Sequence, residues 1–540
     1  MRHAAITLAF ALAVLWGTSP AATFTVDPSG SGDALTIQEG IELSASGDTV
    51  LVVPGVYSGL GNTSLDFGGR KLTLVSTAGC GVTTIDCADT TRAFHFRSAE
   101  PMGTLVEGFA VINGYAEYGG AVRIQSNARP TFRNCAFRGN LATERGGAVA
   151  VGTGSALVGE NLSFKDNISA GGGAIYTFES HLRLEDCEFT GNSAGGGGAI
   201  CLYCGYSAEI TECEFVGNEA TQYGGAITDQ WSDPQITACL FCENVVDGPG
   251  HASGGGVWSN ASSYALISDC VFELNEARGS FGFGGGLSID ASGVTVTNCR
   301  FEKNTALGDE HGFGGGIDIE GWDDLSSPQA TIEECIFTDN MAGQGGGLRC
   351  TDTSAGVSGC LFLSNEAVYW TGGVHLSDYD GHFEDCVVAR NMAGSGAGGL
   401  CIYSCSPLIR GVTIADNTAQ RGGGVYVAID GAPTLERVLI AGNSSAFDCA
   451  DEAGAPVLVC CDIFGNTGSD WTDCIADQLG ENGNICADPQ FCSADSYEIN
   501  EYSPCAPAQS GCGLIGALGV GCSFSSVEST SWGALKAIFR

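Results

Sequence analysis

The feature that most constrains this chain is a phrase that returns about every 26 residues. Phe-x-x-Asn ends at Asn140, Asn167, Asn192, Asn218, Asn244, Asn275, Asn304, Asn340 and Asn365, and with an aliphatic in place of the Phe it ends at Asn391, Asn417, Asn443 and Asn466. Successive Asn positions are 27, 25, 26, 26, 31, 29, 36, 25, 26, 26, 26 and 23 residues apart. A fixed period of this size marks a stacked array in which each unit touches only its neighbours. Two residues before the Phe position stands a Cys in most coils, from Cys135 to Cys461, with Leu162, Val412 and Val438 in the others. Period-2 alternation turns these Cys and Phe positions to one side, the interior.

A second phrase, Gly-Gly-(Ala/Gly)-aliphatic, alternates with the first and places its aliphatic at Val122, Val149, Ile175, Ile200, Ile227, Val257, Leu287, Ile317, Leu348, Val374, Leu400 and Val425. Two residues further on the side chain is again mostly apolar, so this strand buries one parity and is expected to expose the other. Short strands, Gly at corners, a buried Asn and no helical periodicity predict an all-β fold: a right-handed, single-stranded parallel β-helix of about 26 residues per coil, forming one rod on the order of 70 Å long.

Charge and composition bound the function. With 22 Lys+Arg against 62 Asp+Glu the net charge is −40, which repels a phosphate backbone and argues against nucleic acid as a partner. Arg2 and His3, the apolar run Ala4 to Trp16, and the small residues of Ser19-Pro20-Ala21 have the order of a secretory signal over residues 1–21. No later apolar run reaches the roughly 20 residues of a membrane span, so the mature chain is expected to be exported, extracellular or at the cell surface, and monomeric. Export also suits 26 Cys as disulfides or buried thiols. Residues 22–118 are expected to hold an N-terminal cap and the first coils, 119–443 the regular repeats, 444–522 the last coil and a disulfide-bearing cap, and 523–540 a linker and short tail.

Thr36-Ile37-Gln38, Ile41, Ser46-Gly47-Asp48-Thr49-Val50 and Pro54-Gly55-Val56-Tyr57 resemble the opening of pectate-lyase-like right-handed β-helix proteins, in which an amphipathic helix plugs the end of the core. The Gly-Gly-Ala-Ile and Phe-x-x-Asn pair resembles the repeats of chlamydial polymorphic outer-membrane proteins, although no barrel-like series of strands follows. The resemblance implies the fold. It carries lyases, hydrolases, tailspikes and adhesins alike, so function has to be read from the site.

On such a scaffold a site is a patch built from outward columns. Along the Gly-Gly strands these columns bring Asp290, Asp318, Glu320, Arg349 and His375 onto four neighbouring coils, with Tyr176, Tyr203, Trp258, Tyr403 and Tyr426 above and below. Longer turns after Asn244, Asn275 and Asn304 are expected to stack into a lobe beside this strip, bringing His251, Arg278, Asp309, Glu310 and His311; a longer loop after Ile317 adds Trp322, Asp323 and Asp324. Aromatic faces stack on sugar rings, so the strip is expected to bind polysaccharide or a partner surface in the manner of an adhesin. The alternative is a polysaccharide lyase or glycoside hydrolase acting on acidic glycans. Asp290, Asp318 and Glu320, roughly 5–7 Å apart, suit either an acid–base pair or a shared Ca²⁺, and Arg349 or His375 suits a uronate carboxylate or proton abstraction beside it. A passive structural role is the third reading. Cys201-x-x-Cys204 and Cys239-x-x-Cys242 have zinc-like spacing without a neighbouring His, and read better as disulfides or buried thiols.

Overall fold

A computed structural model describes residues 21–261, 264–308, 311–321, 329–450, 454–493 and 496–523. The residues expected to form a secretory signal, apart from Ala21, and the tail over residues 524–540 lie outside them. Three long parallel sheets, of 17, 14 and 16 strands among the described residues, run the length of the molecule. One coil shows why. Val257–Asn260 belongs to the Gly-Gly sheet, Leu266–Ser268 to a second sheet and Val271–Glu273 to the Phe sheet. Asp269 and Leu274, both left-handed at φ 57° and 58°, turn the chain at the ends of the Phe strand. The coil then passes Asn275 and the outer strands Glu276–Arg278 and Phe281–Phe283 before re-entering the Gly-Gly sheet one rung on.

The Gly pair is needed at that re-entry for two reasons. Gly254 is left-handed at φ +69°, and a Cβ on Gly255 would sit 2.2 Å from the Gly285 carbonyl oxygen of the next rung. The first position demands a conformation that L side chains resist and the second has no room for one.

Every rung stacks in register, so like lies on like. Phe137, Phe164, Phe189, Phe215, Phe241, Phe272, Phe301, Phe337 and Phe362 form a column of near-parallel rings with centroids 4.6 to 5.0 Å apart. They lie in a single apolar core that runs from Val26 to Ile475. Beside it the Asn side chains form an unbroken ladder: Asn275 Nδ2 donates to Asn304 Oδ1 and to the Phe241 carbonyl, both at 2.9 Å, while Asn304 Oδ1 also accepts the Asn275 backbone N–H at 3.1 Å. The same pattern repeats from Asn140 to Asn443. Each buried amide is thereby satisfied where a water could not reach it. The helix Ile37–Leu43 is closed at its start by a Thr36/Glu39 capping box and buries Ile37 and Ile41 in the same core.

The Cys column stacks as free, buried thiols, with Cys239 N–H donating to Cys270 Sγ at 3.4 Å. Disulfides occur instead at Cys449–Cys474, Cys460–Cys512 and Cys492–Cys522, which fits an oxidising, extracellular setting. The segment they staple carries a three-stranded sheet of its own. Its small sheet folds back along the outer face of the Phe sheet, where Tyr497 packs on Leu363, Val387, Ala389 and Ala415 and its hydroxyl reaches Asp416 Oδ2 at 3.0 Å. Among the described residues no helix is long and apolar enough to cross a membrane.

Candidate functional site

The Gly-Gly sheet sets out its columns in the expected register. Trp258 pairs with Ser288, Ser288 with Asp318, Asp318 with Arg349 and Arg349 with His375; Asn260 pairs with Asp290, Asp290 with Glu320 and Glu320 with Thr351. The three longer turns form the expected lobe. Their strands His251–Ser253, Phe281–Phe283 and His311–Phe313 pair in parallel, and Phe283 stacks on Phe313 at 5.1 Å. Asp309, Glu310, Trp322, Asp323 and Asp324 lie outside the described residues.

The expectation that both columns face solvent is corrected. The first column, directly after each aliphatic, is covered: Asp318 is 0 % exposed, His375 3 % and Tyr426 2 %. The residue that precedes each Gly pair lies against it. Tyr223 stacks on Trp258 at 4.2 Å, the Arg349 guanidinium lies 4.5 Å over the Phe313 ring, and Thr371 Oγ1 meets His375 Nδ1 at 3.0 Å. These covering side chains form a third column, readable in the sequence as the position before Gly-Gly. Tyr223, Phe283, Phe313 and Arg145 are the site residues missed without it.

Between this covering column and the second column lies a groove of about 880 Å³. Tyr203, Gln230, Asn260, Asp290 and Glu320 form its floor, His251, Phe281, Phe283 and Phe313 stand along its lobe side, and Trp258 and Arg349 reach into it. Of the expected aromatics, Tyr203 and Trp258 therefore line the groove. Tyr176 lines a neighbouring cleft, Tyr403 lies beyond the groove, and Tyr426 packs with Ala397, Cys401 and Ala428.

The electrostatics sort the ionisable residues into roles. Asp290 Oδ2 accepts the Trp258 indole N–H at 2.7 Å and Oδ1 accepts the Ser288 hydroxyl at 3.3 Å. Burial nevertheless pushes its carboxyl up to about 7, helped by the charges of Asp318 and Glu320. Glu320, half-buried on the next rung, is also raised, first by burial and then by Asp318. Asp318 is raised by burial, with Arg349 pulling the other way. Its Oδ1 accepts from Arg349 Nη1 at 2.9 Å, while its Oδ2 is buried without a hydrogen-bond donor. Burial works to lower the Arg349 guanidinium, yet Asp318 and Glu320 override it, so that Arg349 holds its proton more tightly than usual. His375 is held neutral, down to about 3, by burial and then by Arg349.

Two expected roles do not fit this arrangement. An arginine whose proton is held by two carboxylates is a poor base, its Nη1 is already committed to Asp318, and His375 is sealed away from the groove. The carboxylates are likewise a poor calcium cage: Asp290 is engaged by N–H and O–H donors, and the Arg349 cation already sits against Asp318 and 3.9 Å from Glu320. Among the described residues no group of three His, Cys, Asp or Glu converges as a metal site. What does fit is Asp290, its carboxyl pushed up to about 7, beside Glu320 on the neighbouring strand, one spacing of about 4.8 Å across the sheet.

The coil, its ladders and a groove laid along one sheet define a parallel β-solenoid that presents a site on a rigid wall. Residues 71–241, 237–388 and 346–483 match the family described as the right handed beta helix region, and the chain belongs to that family. It is 28% identical over 210 residues to metabotropic glutamate receptor-like protein R of Dictyostelium discoideum, which covers 38% of this chain; the chain spans about a tenth of the length of that curated relative (10%). Among solved structures it is similar to the catalytic unit of a GH87 α-1,3-glucanase from Streptomyces thermodiastaticus, with 16% identity, 85% of this chain and 71% of that one covered, and a TM-score of 0.30. A mannuronic acid specific polysaccharide family 6 lyase from human gut microbiota gives 10%, 77%, 86% and 0.30 in the same order. Tailspike protein 3 of bacteriophage CBA120 gives 12%, 76%, 56% and 0.24.

Proposed function

We propose that this protein is exported and binds a polysaccharide lengthwise in the groove beside its Gly-Gly sheet, in the extracellular space or at a cell surface. The observation that carries the reading is the groove's lining. Aromatic rings at Tyr203, Trp258, Phe281, Phe283 and Phe313 alternate with amide and carboxyl groups at Gln230, Asn260, Asp290 and Glu320. Apolar sugar faces stack on such rings and sugar hydroxyls pair with such polar groups. The rung spacing of about 4.8 Å repeats these contacts along a chain ligand. The test is retention of the purified protein on a panel of neutral and acidic polysaccharides, before and after Tyr203→Ala; loss of retention with this half-buried ring supports the reading, and no retention on any of them rejects it.

A second reading, glycoside hydrolysis, has its own observation. A carboxyl held near 7 is still half protonated at neutral pH, and Asp290 faces the groove beside Glu320. In this reading Asp290 donates a proton to the glycosidic oxygen while Glu320, on the next rung, acts as the second carboxylate. Release of reducing ends that is abolished in Asp290→Asn supports it; binding without release leaves the binding reading alone.

A further inference from the structure

Arginines on this acidic surface are mostly neutralised. Arg97 meets Asp66, Arg133 meets Glu160, Arg183 meets Glu185, Arg300 meets Glu302 and Arg410 meets Glu436. Arg123 and Arg145 are placed otherwise. Each guanidinium lies over an aromatic ring, Arg123 over Tyr118 at 5.0 Å and Arg145 over Tyr176 at 4.7 Å. Neither has a carboxylate within ion-pair distance among the described residues, and Arg123 has a single weak hydrogen bond, to Gln125 Oε1 at 3.4 Å. Stacking holds the planes while leaving their N–H edges free.

Positive charge gathers here, with Asp66 beside Arg97 working against it. His95 pairs in register with Arg123, and it is held down to about 4 by burial and then by Arg92, Arg97 and Arg123. Arg92 is itself lowered by burial and by Arg123. In a chain of net charge −40 these guanidinium groups make a basic spot on an acidic surface, one with which an anionic ligand can pair. Its place is also informative. Arg123, Arg145, Tyr118, Tyr176 and Phe178 line a cleft of about 590 Å³, and Arg145 lines the glycan groove as well, so the two are continuous along one wall. From the Arg123 strand to the Glu320 strand is seven steps of the sheet, roughly 34 Å.

We propose that this cleft is an anion subsite at one end of the groove, in which Arg123 and Arg145 receive the carboxylate or sulfate of an acidic sugar whose ring lies against Phe178. The assignment rests on the groove reading and adds to it: the acidic-glycan selectivity expected of Arg349 is supplied at the other end, by arginines with no carboxylate of their own. Guanidinium N–H groups lining one cleft suit a planar or tetrahedral oxyanion, and the acidic remainder of the surface repels polyanions that fail to reach this spot.

The experiment is isothermal titration of the full mature chain, at low and moderate salt, with a galacturonate hexamer, a sulfated glucan hexamer and a neutral glucan hexamer. The expected result is that an acidic oligomer binds more tightly than the neutral one, that salt weakens only the acidic ligand, that Arg123→Gln weakens the acidic ligand about tenfold with the neutral ligand unchanged, and that Arg145→Gln, on the wall shared with the groove, weakens the acidic ligand more than the neutral one. Preference between the two acidic probes tells carboxylate from sulfate. Arg145 is exposed, so its variant keeps the test valid if Arg123→Gln fails to fold. Acidic oligomers bound equally well by both variants, or no tighter than the neutral one by the wild type, overturn the subsite. If only the neutral oligomer binds, and Tyr203→Ala abolishes it, the subsite falls and the groove stands; if nothing binds, both fall.

Discussion

Trp258 and Asp290 stand on neighbouring rungs in adjacent columns, and the indole Nε1–H donates to Asp290 Oδ2 at 2.7 Å across the step between them. The bond steadies the ionised form of a carboxyl that burial and two nearby acids would otherwise keep protonated to higher pH. Trp258→Phe retains the ring on Tyr223 and removes the donor. The expected outcome is an upward move of the Asp290 titration, read by carboxyl-labelled NMR, with little loss of fold.

The raised Asp290 pKa is also a statement about stability. Between the ordinary carboxylate value of 3.8 and about 7 the native state binds this proton and the unfolded state does not. Stability from this group is therefore full below pH 4 and lost as pH rises through 7. Thermal unfolding of wild type and Asp290→Asn across pH 4 to 8 checks the sign: the wild type loses midpoint relative to the variant as pH rises.

Arg349 and Asp318 are a buried pair, and breaking it from either side strands a charge. Arg349→Ala is expected to cost about 3–5 kcal/mol in urea unfolding, since it leaves Asp318 buried and unpaired. Glu320→Gln, on an open side chain, is expected to stay within about 0.5 kcal/mol of wild type. Equal costs would mean that Arg349 does not neutralise Asp318.

The fold was legible because the repeat is a physical constraint repeated many times over. A Gly that cannot carry a Cβ, such as Gly255, and an Asn that satisfies its neighbour, such as Asn304, leave the same mark every coil. Register followed, so Asp290, Glu320, Asp318 and Arg349 were brought together correctly. Exposure was not legible from alternation alone, because alternation reports which side of a strand a residue leaves and not what lies over it. Tyr223 over Trp258 and Phe313 under Arg349 come from the preceding turn. That covering column turned Asp318, His375 and Tyr426 into buried residues, and it set the Arg145 guanidinium over the Tyr176 ring.

The Asn ladder should behave as a series of satisfied amides. Asn275→Ala removes the side chain that donates to Asn304 and to the Phe241 carbonyl and strands the donors of Asn244 beneath it. A loss of about 2–4 kcal/mol is expected from several unsatisfied buried groups, measured by denaturant unfolding, and an effect within error would show that the ladder is ornamental to stability.

Thiol counting tests the separation of the two kinds of Cys. With three disulfides and 20 free cysteines, unfolding without reductant should expose 20 reactive thiols and reduction should raise the number to 26. In the native state Cys486, exposed, should react first, and the buried column from Cys187 to Cys386 should stay silent.

The most direct test of the central claim is hydrogen exchange of the full chain with and without a polysaccharide oligomer that it retains. The expected result is protection confined to the groove strands, Ile200–Tyr203, Ile227–Gln230, Val257–Asn260, Leu287–Asp290 and Ile317–Glu320, to the lobe strands His251–Ser253, Phe281–Phe283 and His311–Phe313 that face them, and to the adjoining Arg123 cleft when the oligomer is acidic. Protection on the Phe sheet or along the disulfide-bearing segment instead, with these strands unchanged, would contradict it.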